Sequence, residues 1–289
     1  MSHPASDLPR LDRCVVMGVV NVTPDSFSDG GRYLDPTVAI ERGFELIKAG
    51  ADIVDIGGES TRPGAGRIEP AEEIGRVLPV VHELAIAGGY VSIDTTRAEV
   101  ATAALDAGAR MVNDVSGGRA DPAMIPLIAR TGVPYVIMHW RGHSDTMQTK
   151  ATYADVVAEV CDELRQRYEA AAEGGVDPEQ IVLDPGLGFA KLPQHNWALL
   201  ANLDRIASLG RPVLIGGSRK RFLGEVTAGP DGRPRPEAAR EDATVAVSAI
   251  AALSGAWGIR VHEVAGNLDA VKVAAAVRAA AASTGAPAR

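Results

Sequence analysis

The chain has 289 residues, of which 46% are hydrophobic, 23% charged and 4% aromatic, with a formal net charge of −8. The acidic balance and the lack of a Lys/Arg run exclude a typical nucleic-acid binder, and the scarcity of aromatic residues excludes a base-stacking surface. No apolar run reaches membrane-spanning length and the N-terminus is polar, so we expect a cytoplasmic protein that has no membrane partner. Cys14 and Cys161 are far apart and form no CxxC motif, which argues against a zinc site or a disulfide framework.

The first half of the chain alternates apolar runs with segments of helical periodicity. Residues 14–20 are continuously apolar, as in a parallel strand that is buried on both faces, and Asn21 follows them. Further strands are predicted at residues 53–56, 90–93 and 111–112, and the last two lead to Asp94 and Asn113. Helices are predicted at residues 37–49, 69–84 and 97–106. Asp121 and Pro122 have the pattern of a helix N-cap followed by a first-turn proline.

The second half repeats the pattern. Strands are predicted at residues 135–138, 181–183, 212–215 and 257–259, and polar residues again follow them: His139, Asp184, Ser218, Arg260 and His262. Helices are predicted at residues 153–173, 196–208, 243–253 and 268–282, and residues 228–240 form a polar, proline-rich surface loop.

Eight strands that alternate with helices predict parallel pairing, because a parallel connection needs a crossover of a dozen or more residues. We therefore expect an α/β fold, a (β/α)₈ TIM barrel, as one domain over residues 14–282 with flexible tails at 1–13 and 283–289. The active site of such a barrel lies at the C-terminal ends of its strands, where the polar residues recur. The long loops at residues 22–33 and 57–67, which follow strands one and two, are interpreted as mobile lids.

Two groups of polar residues indicate binding chemistry. The run from Gly216 to Arg221 places glycines, a hydroxyl and three cations at a helix start, which favours an anion site, although such cations often only face water. Arg260 and His262 alternate in a strand and so share a face. Asp94, Asn113 and Asp184 could accept hydrogen bonds from the N–H groups of a flat heterocycle, although any one of them could simply cap a helix. For His139, a place in the pocket wall and a supporting place behind it both stay open.

Seven segments together resemble the dihydropteroate synthase family. In chain order they are residues 18–30 (GVVNVTPDSFSDG), 55–64 (DIGGESTRPG), 92–95 (SIDT), 112–117 (VNDVSG), 183–186 (LDPG), 217–220 (GSRK) and 260–262 (RVH). The resemblance spans nearly the whole chain. It differs at Glu263, where the family commonly has Asp, and Gly217 stands at a position that varies in other members.

The resemblance implies a homodimeric TIM barrel that condenses 6-hydroxymethyl-7,8-dihydropterin diphosphate with p-aminobenzoate. It places the pterin on Asp94, Asn113, Asp184 and Lys220, with Met138 and Phe189 as walls. It assigns the diphosphate to Arg260 and His262, and its Mg²⁺ to Asn21. Thr61, Arg62 and Ser218 would surround the p-aminobenzoate and diphosphate end. The implied catalytic residues are Arg62, Asp94, Lys220, Arg260 and His262.

Two alternatives stay open at this point. A related pterin barrel could transfer a methyl group from methyltetrahydrofolate to a corrinoid, but it would have no use for the cations of residues 218–221. A catalytically degenerate pterin-binding paralogue is the other alternative. The intact segment from Glu59 to Gly64 argues against it.

Overall fold

The computed structural model describes residues 8–23, 36–60, 66–143 and 147–283, and in these ranges eight strands alternate with α-helices. The strands are β1 Val15–Asn21, β2 Ile53–Gly57, β3 Val91–Asp94, β4 Met111–Asp114, β5 Tyr135–Met138, β6 Ile181–Asp184, β7 Leu214–Ile215 and β8 Gly258–Val261. The helices are α1 Pro36–Lys48, α2 Pro70–Ile86, α3 Ala98–Asp106, α4 Met124–Thr131, α5 Val156–Glu173, α6 Pro193–Ala201, α7 Leu203–Ala207, α8 Arg221–Val226, α9 Glu241–Leu253 and α10 Ala265–Ser283.

All strand pairs are parallel, and the sheet order is β6-β5-β4-β3-β2-β1-β8-β7. A parallel bridge between Leu183 and Val213 joins the two ends of this order, so the sheet closes into a barrel. The predicted TIM barrel is confirmed. Because all strands run the same way, their carboxyl ends meet at one mouth.

The barrel has an inner and an outer core. The outer core packs the helices on the strands, and the inner core fills the barrel with side chains from alternate strands. Leu8 is buried in the inner core beside Val15 and Leu214, and the Trp257 indole Nε1 donates to the Pro9 carbonyl at 2.8 Å. Residues 8 and 9, which the sequence places in a flexible tail, thus pack against the barrel because Leu8 covers its apolar interior.

Several helix bounds differ from the sequence prediction by a few residues, and two differences have a clear physical reason. The predicted helix at residues 196–208 is divided into α6 and α7 at Asn202, whose side-chain amide donates to the Ala198 carbonyl at 2.8 Å. Asp121 does not cap α4, which begins at Met124. One of its carboxylate oxygens accepts the Ala98 N–H at the start of α3, and the other accepts the Ala123 N–H.

Among the described residues, no helix combines the length and the apolar character needed to cross a bilayer. The cytoplasmic location and the division into one domain with two tails stay predictions.

Candidate functional site: the mouth of the barrel

Strand register brings three polar residues and a glycine, on four neighbouring strands, into one row. Asn21 pairs with Gly57, Gly57 pairs with Asp94, and Asp94 pairs with Asn113. On the opposite part of the barrel, Met138 pairs with Asp184. These residues lie at or next to the carboxyl ends of their strands, where each apolar run stops at the mouth of the barrel. The candidate site is therefore built mainly by the strands rather than by the loops.

One wall of the mouth is a network around Arg260, which we call the arginine wall (Asp55, Asp94, Asn113 and Arg260). The Arg260 guanidinium donates from Nε to Asp55 Oδ2 at 2.6 Å and from Nη2 to Asp94 Oδ2 at 2.7 Å. The Asn113 side-chain amide donates to Asp55 Oδ2 at 2.9 Å. Asp55 is fully buried, and its second oxygen Oδ1 has no hydrogen-bond partner among the described residues. The arginine thus holds two carboxylates and, through Asp55, the amide in one arrangement.

The opposite wall, which we call the lysine wall, consists of Asp184, Leu187, Phe189 and Lys220. The Lys220 ammonium donates to the Leu187 carbonyl and lies 4.6 Å from the centre of the Phe189 ring. A Cβ atom on Gly216 would lie 3.6 Å from Asp184 Oδ2 and 4.0 Å from Lys220 Nζ, so this glycine leaves the space between carboxylate and ammonium open. The wall offers one donor and one acceptor next to an aromatic face.

Burial shifts the pKa values of the charged groups in both walls. Desolvation raises the pKa of Asp94 to about 7, with the Arg260 charge opposing the shift and the Asp55 charge adding to it. Desolvation likewise lowers the pKa of Lys220 to about 8, against the opposing effect of Asp184. The pKa of Asp184 is raised by burial and held down in part by Lys220. Shifted pKa values of this kind cluster at functional sites.

Ser218 and His262 form a pair at the ends of β7 and β8. The Ser218 hydroxyl lies 2.9 Å from His262 Nδ1 and accepts the His262 backbone N–H at 3.2 Å. In the tautomer in which the hydroxyl donates to Nδ1, the ring proton of a neutral imidazole lies on Nε2. In that tautomer the pair presents an N–H donor suited to an anionic oxygen.

The sequence of this chain is similar to the sequences of known proteins. Residues 17–262 match the family of pterin binding enzymes. Dihydropteroate synthase of Mycobacterium leprae is 59% identical over 262 residues, which cover 90% of this chain and 92% of that protein. The chain belongs to the dihydropteroate synthase family.

Solved structures of the dihydropteroate synthase family agree with the fold. Xanthomonas albilineans dihydropteroate synthase with 4-aminobenzoic acid superimposes with a TM-score of 0.85 at 45% identity, covering 93% of this chain and 94% of that one. The same organism's enzyme in complex with 7,8-dihydropteroate gives a TM-score of 0.83 at 43% identity, covering 94% and 96%. The family resemblance drawn from the sequence is confirmed.

Most of the site residues expected of a dihydropteroate synthase lie at the mouth, and their individual roles stay predictions. Met138 ends β5 as a buried side chain, and its Cγ would lie 3.3 Å from a Cβ atom on Gly186, beside Asp184. Arg260 faces Asp55 and Asp94 rather than standing alone as an anion ligand. Thr61 and Arg62 lie outside the described residues, as does most of the predicted lid at residues 22–33.

The run of three cations does not act as one cluster among the described residues. Only Lys220 enters the mouth. Arg219 has a left-handed backbone (φ 57°), and its guanidinium pairs with Glu241 at 3.2 Å and with Glu263 at 3.0 Å. Arg221 is exposed and pairs with Glu225 at 2.8 Å. The positive φ at Arg219 turns the side chains of residues 219–221 in different directions. The site therefore contains one of the three cations that are adjacent in the sequence.

Sequence reasoning gave no role to Asp55 or to Lys191. The signal for Asp55 was available, because a carboxylate within a buried strand needs a cationic partner. For Lys191 the sequence showed only a lysine after a glycine-rich turn. Lys191 is nevertheless 4% exposed and binds His139 behind the lysine wall.

The surroundings of Asn21 fit the expected magnesium ion. A Cβ atom on Gly57 would lie 3.8 Å from Asn21 Oδ1 and 3.6 Å from Asp94 Oδ2, so an amide oxygen and a carboxylate oxygen both lie near Gly57 at the mouth. Oxygen ligands suit Mg²⁺, which often takes only one or two protein ligands together with substrate phosphates. Within the described ranges no cluster of three His, Cys, Asp or Glu side chains could hold a metal by itself.

Proposed function

We propose that this chain condenses 6-hydroxymethyl-7,8-dihydropterin diphosphate with p-aminobenzoate to give 7,8-dihydropteroate and diphosphate. The observation that carries the proposal is the convergence of the arginine wall and the lysine wall on one mouth, in a chain that is 59% identical to a dihydropteroate synthase. The chain is thus a transferase of a pterinylmethyl group.

The two walls would hold the pterin by complementary hydrogen bonding. Pterin N–H groups suit the carboxylate oxygens of Asp94 and Asp184, and the pterin carbonyl and ring nitrogens suit the donors of Asn113 and Lys220. Met138 and Phe189 would pack on the flat ring. Because Arg260 and Asn113 already fix Asp55, and Arg260 fixes Asp94, this wall needs little rearrangement to bind the ring.

The leaving group would lie toward Ser218, His262 and Arg260. His262 would donate from Nε2 to a diphosphate oxygen, with Ser218 holding Nδ1. Asn21 would hold Mg²⁺, which when bound supplies positive charge to the departing diphosphate. Thr61 and Arg62 would complete the p-aminobenzoate and diphosphate end.

The reaction needs no protein nucleophile. The C–O bond to diphosphate breaks with its electron pair going to the leaving oxygen, and the dihydropterin ring delocalises the resulting positive charge on the methylene carbon. The neutral amine of p-aminobenzoate then forms the new C–N bond and loses a proton. The part of Arg260 and His262 is to stabilise negative charge as it develops on the diphosphate.

The deciding experiment measures diphosphate release and dihydropteroate formation with Mg²⁺, with and without p-aminobenzoate. Release coupled one-to-one with dihydropteroate is the expected result. Tight pterin binding without product would instead indicate a degenerate paralogue. Methyl transfer to a corrinoid without any diphosphate requirement would indicate the methyltransferase alternative.

We also propose that the enzyme is a homodimer through α9 and α10. These helices pack on each other and expose Ile250, Leu253, Val273 and Val277, whose exposures run from 44% to 64%. Large apolar side chains grouped on one surface are typical of an interface. We expect sedimentation velocity to give a dimer and the Val273→Glu/Val277→Glu double variant to give a folded monomer. A wild-type monomer at micromolar concentration would contradict this proposal.

A further inference from the structure

The segment that follows β6, residues 185–191, has an unusual backbone. Gly186, Gly188 and Ala190 all have positive φ (67°, 79° and 48°), so every second residue lies in the left-handed region. Such a conformation costs free energy, above all at Ala190, and persists only where surrounding contacts hold it. Leu187 and Phe189, which alternate with these three, are the residues that contact Lys220. The shape of this segment therefore sets the place of the Lys220 ammonium.

Lys191 anchors this segment from inside the protein. Its side chain is 4% exposed, and Nζ donates to the Phe189 carbonyl at 3.1 Å and lies 2.9 Å from His139 Nδ1. A Cβ atom on Gly186 would lie only 3.5 Å from this Nζ. One ammonium group thus reaches both ends of the turn, and it binds the Phe189 backbone, whereas Lys220 lies over the Phe189 ring.

His139 is built to receive this ammonium. Burial lowers the His139 pKa to about 4, and the nearby Lys191 charge adds to the shift, so the imidazole is neutral at pH 7. Nδ1 then accepts from Lys191 and the ring proton lies on Nε2. Nε2 is 3.1 Å from Glu163 Oε2, and Arg141 holds Glu163 in turn. The imidazole therefore lies between Lys191 of the loop and Glu163 of helix α5.

Titratable and charged groups on several elements surround Lys191 and His139. They are His139 after β5, Asp184 at the end of β6, Lys220 before α8, Arg141 after β5, Glu163 on α5 and His195 on α6. Burial lowers the pKa of Lys191 to about 7, while the Asp184 charge opposes the shift. The ammonium form therefore depends on Asp184, and Asp184 gains a nearby positive charge in return.

We propose that Lys191 is a positioning residue for pterin binding, which holds residues 185–191 in the shape that places Phe189 and Lys220, with His139 as its fixed acceptor. This inference rests on the proposed function. Lys191 acts through the loop and does not touch the reacting atoms, because its ammonium is occupied by Phe189 and His139 behind the pocket wall.

The test compares Lys191→Met with Lys48→Met, which removes the same charge from the exposed end of α1. The dissociation constant of the pterin diphosphate is measured without p-aminobenzoate, and KM and kcat are measured with it. For Lys191→Met we expect the dissociation constant and the pterin KM to rise about 10- to 100-fold, the range for a lost charge-assisted hydrogen bond, with kcat at saturating pterin changed about twofold or less. Lys48→Met should behave as wild type.

The pH profile separates positioning by the ammonium from a general packing defect. The ratio of wild-type to Lys191→Met affinity for the pterin should fall from about pH 6 to about pH 8 as Lys191 loses its proton. The change that Asp94, with a pKa of about 7, causes in this range is common to both proteins and cancels in the ratio. Lys191→Gln repeats the comparison with a polar neutral side chain if the Met variant does not fold.

Wild-type pterin affinity and a wild-type pH profile in a folded Lys191 variant would overturn the proposal. A wild-type chain that binds pterin but forms no dihydropteroate would instead overturn the proposed function, and the binding comparison would still decide the role of Lys191.

Discussion

The two walls of the barrel mouth are held in different ways. The arginine wall is made by strand ends, and its members are fixed by strand register and by the two ion pairs of Arg260. The lysine wall depends on a loop with three positive φ angles and on the flexible side chain of Lys220. The arginine wall therefore stabilises the fold and also forms part of the site. The lysine wall forms part of the site, and its loop has a strained backbone. Substitutions should therefore couple stability and activity on one wall and separate them on the other.

The largest effect is expected at Arg260. Arg260→Met leaves the carboxylates of Asp55 and Asp94 buried without their cation, which costs about 3 kcal/mol or more in the free energy of unfolding. Activity should be lost together with stability. Urea denaturation and diphosphate release measure the two quantities. Arg165→Met, which breaks the exposed pair with Asp162, is the matched control and should change stability by less than about 1 kcal/mol. A stable, active Arg260→Met variant would show that the arginine wall is not part of the fold.

The next effect is expected at Lys220, where activity and stability should separate. Lys220→Met removes a buried donor, so we expect the pterin KM to rise and kcat/KM to fall about 100-fold or more. Stability at pH 7 should change less than in Arg260→Met, because relief of the desolvated ammonium offsets the charge that buried Asp184 loses. A loss of stability as large as that of Arg260→Met would erase the difference between the two walls.

The same lysine gives a pH dependence of known sign. Its pKa falls from 10.5 to about 8 on folding, so between these values the unfolded chain binds more protons than the folded one. Stability of the wild type should therefore rise with pH in this window, while pterin affinity falls as pH passes about 8 and the ammonium is lost. Lys220→Met should lose the fall in affinity near pH 8 and part of the rise in stability, while Lys191, whose pKa burial also lowers, still contributes to that rise. Denaturation curves and binding titrations from about pH 7 to about pH 10 measure both quantities. A wild-type binding profile that is flat across pH 8 would contradict the role of the ammonium.

The smallest effect tests the backbone of the lysine wall. Gly188→Ala places a Cβ atom 2.9 Å from Lys220 Cδ at a positive φ, so it should lower stability by about 1 kcal/mol and raise the pterin KM several-fold. Gly210 has a similar φ of 77° and no atom within 4 Å of its Cβ position, so Gly210→Ala should show the stability loss alone. Equal KM values for the two variants would show that the loop does not position Lys220.

The difference between the walls also explains which residues could be found from the sequence. Asp94, Asn113 and Asp184 each end a buried apolar run, so local pattern alone places them at the mouth once a barrel is inferred. Leu8 and Lys191 could not be placed in this way. Both are buried by contacts with segments distant in the chain, and neither belongs to a periodic pattern.

The sequence by itself determined the barrel and placed the polar residues at the carboxyl ends of its strands. The reason is that the apolar runs mark the strands, and closure of a parallel sheet brings their carboxyl ends to one mouth. The tertiary structure decided where the charged side chains point. Arg260 meets Asp55 across 205 residues of chain, and Arg219 leaves the mouth because its backbone turns at φ 57°. Such choices depend on competition among several possible partners for a buried charge, and only the folded chain fixes which partners are within reach.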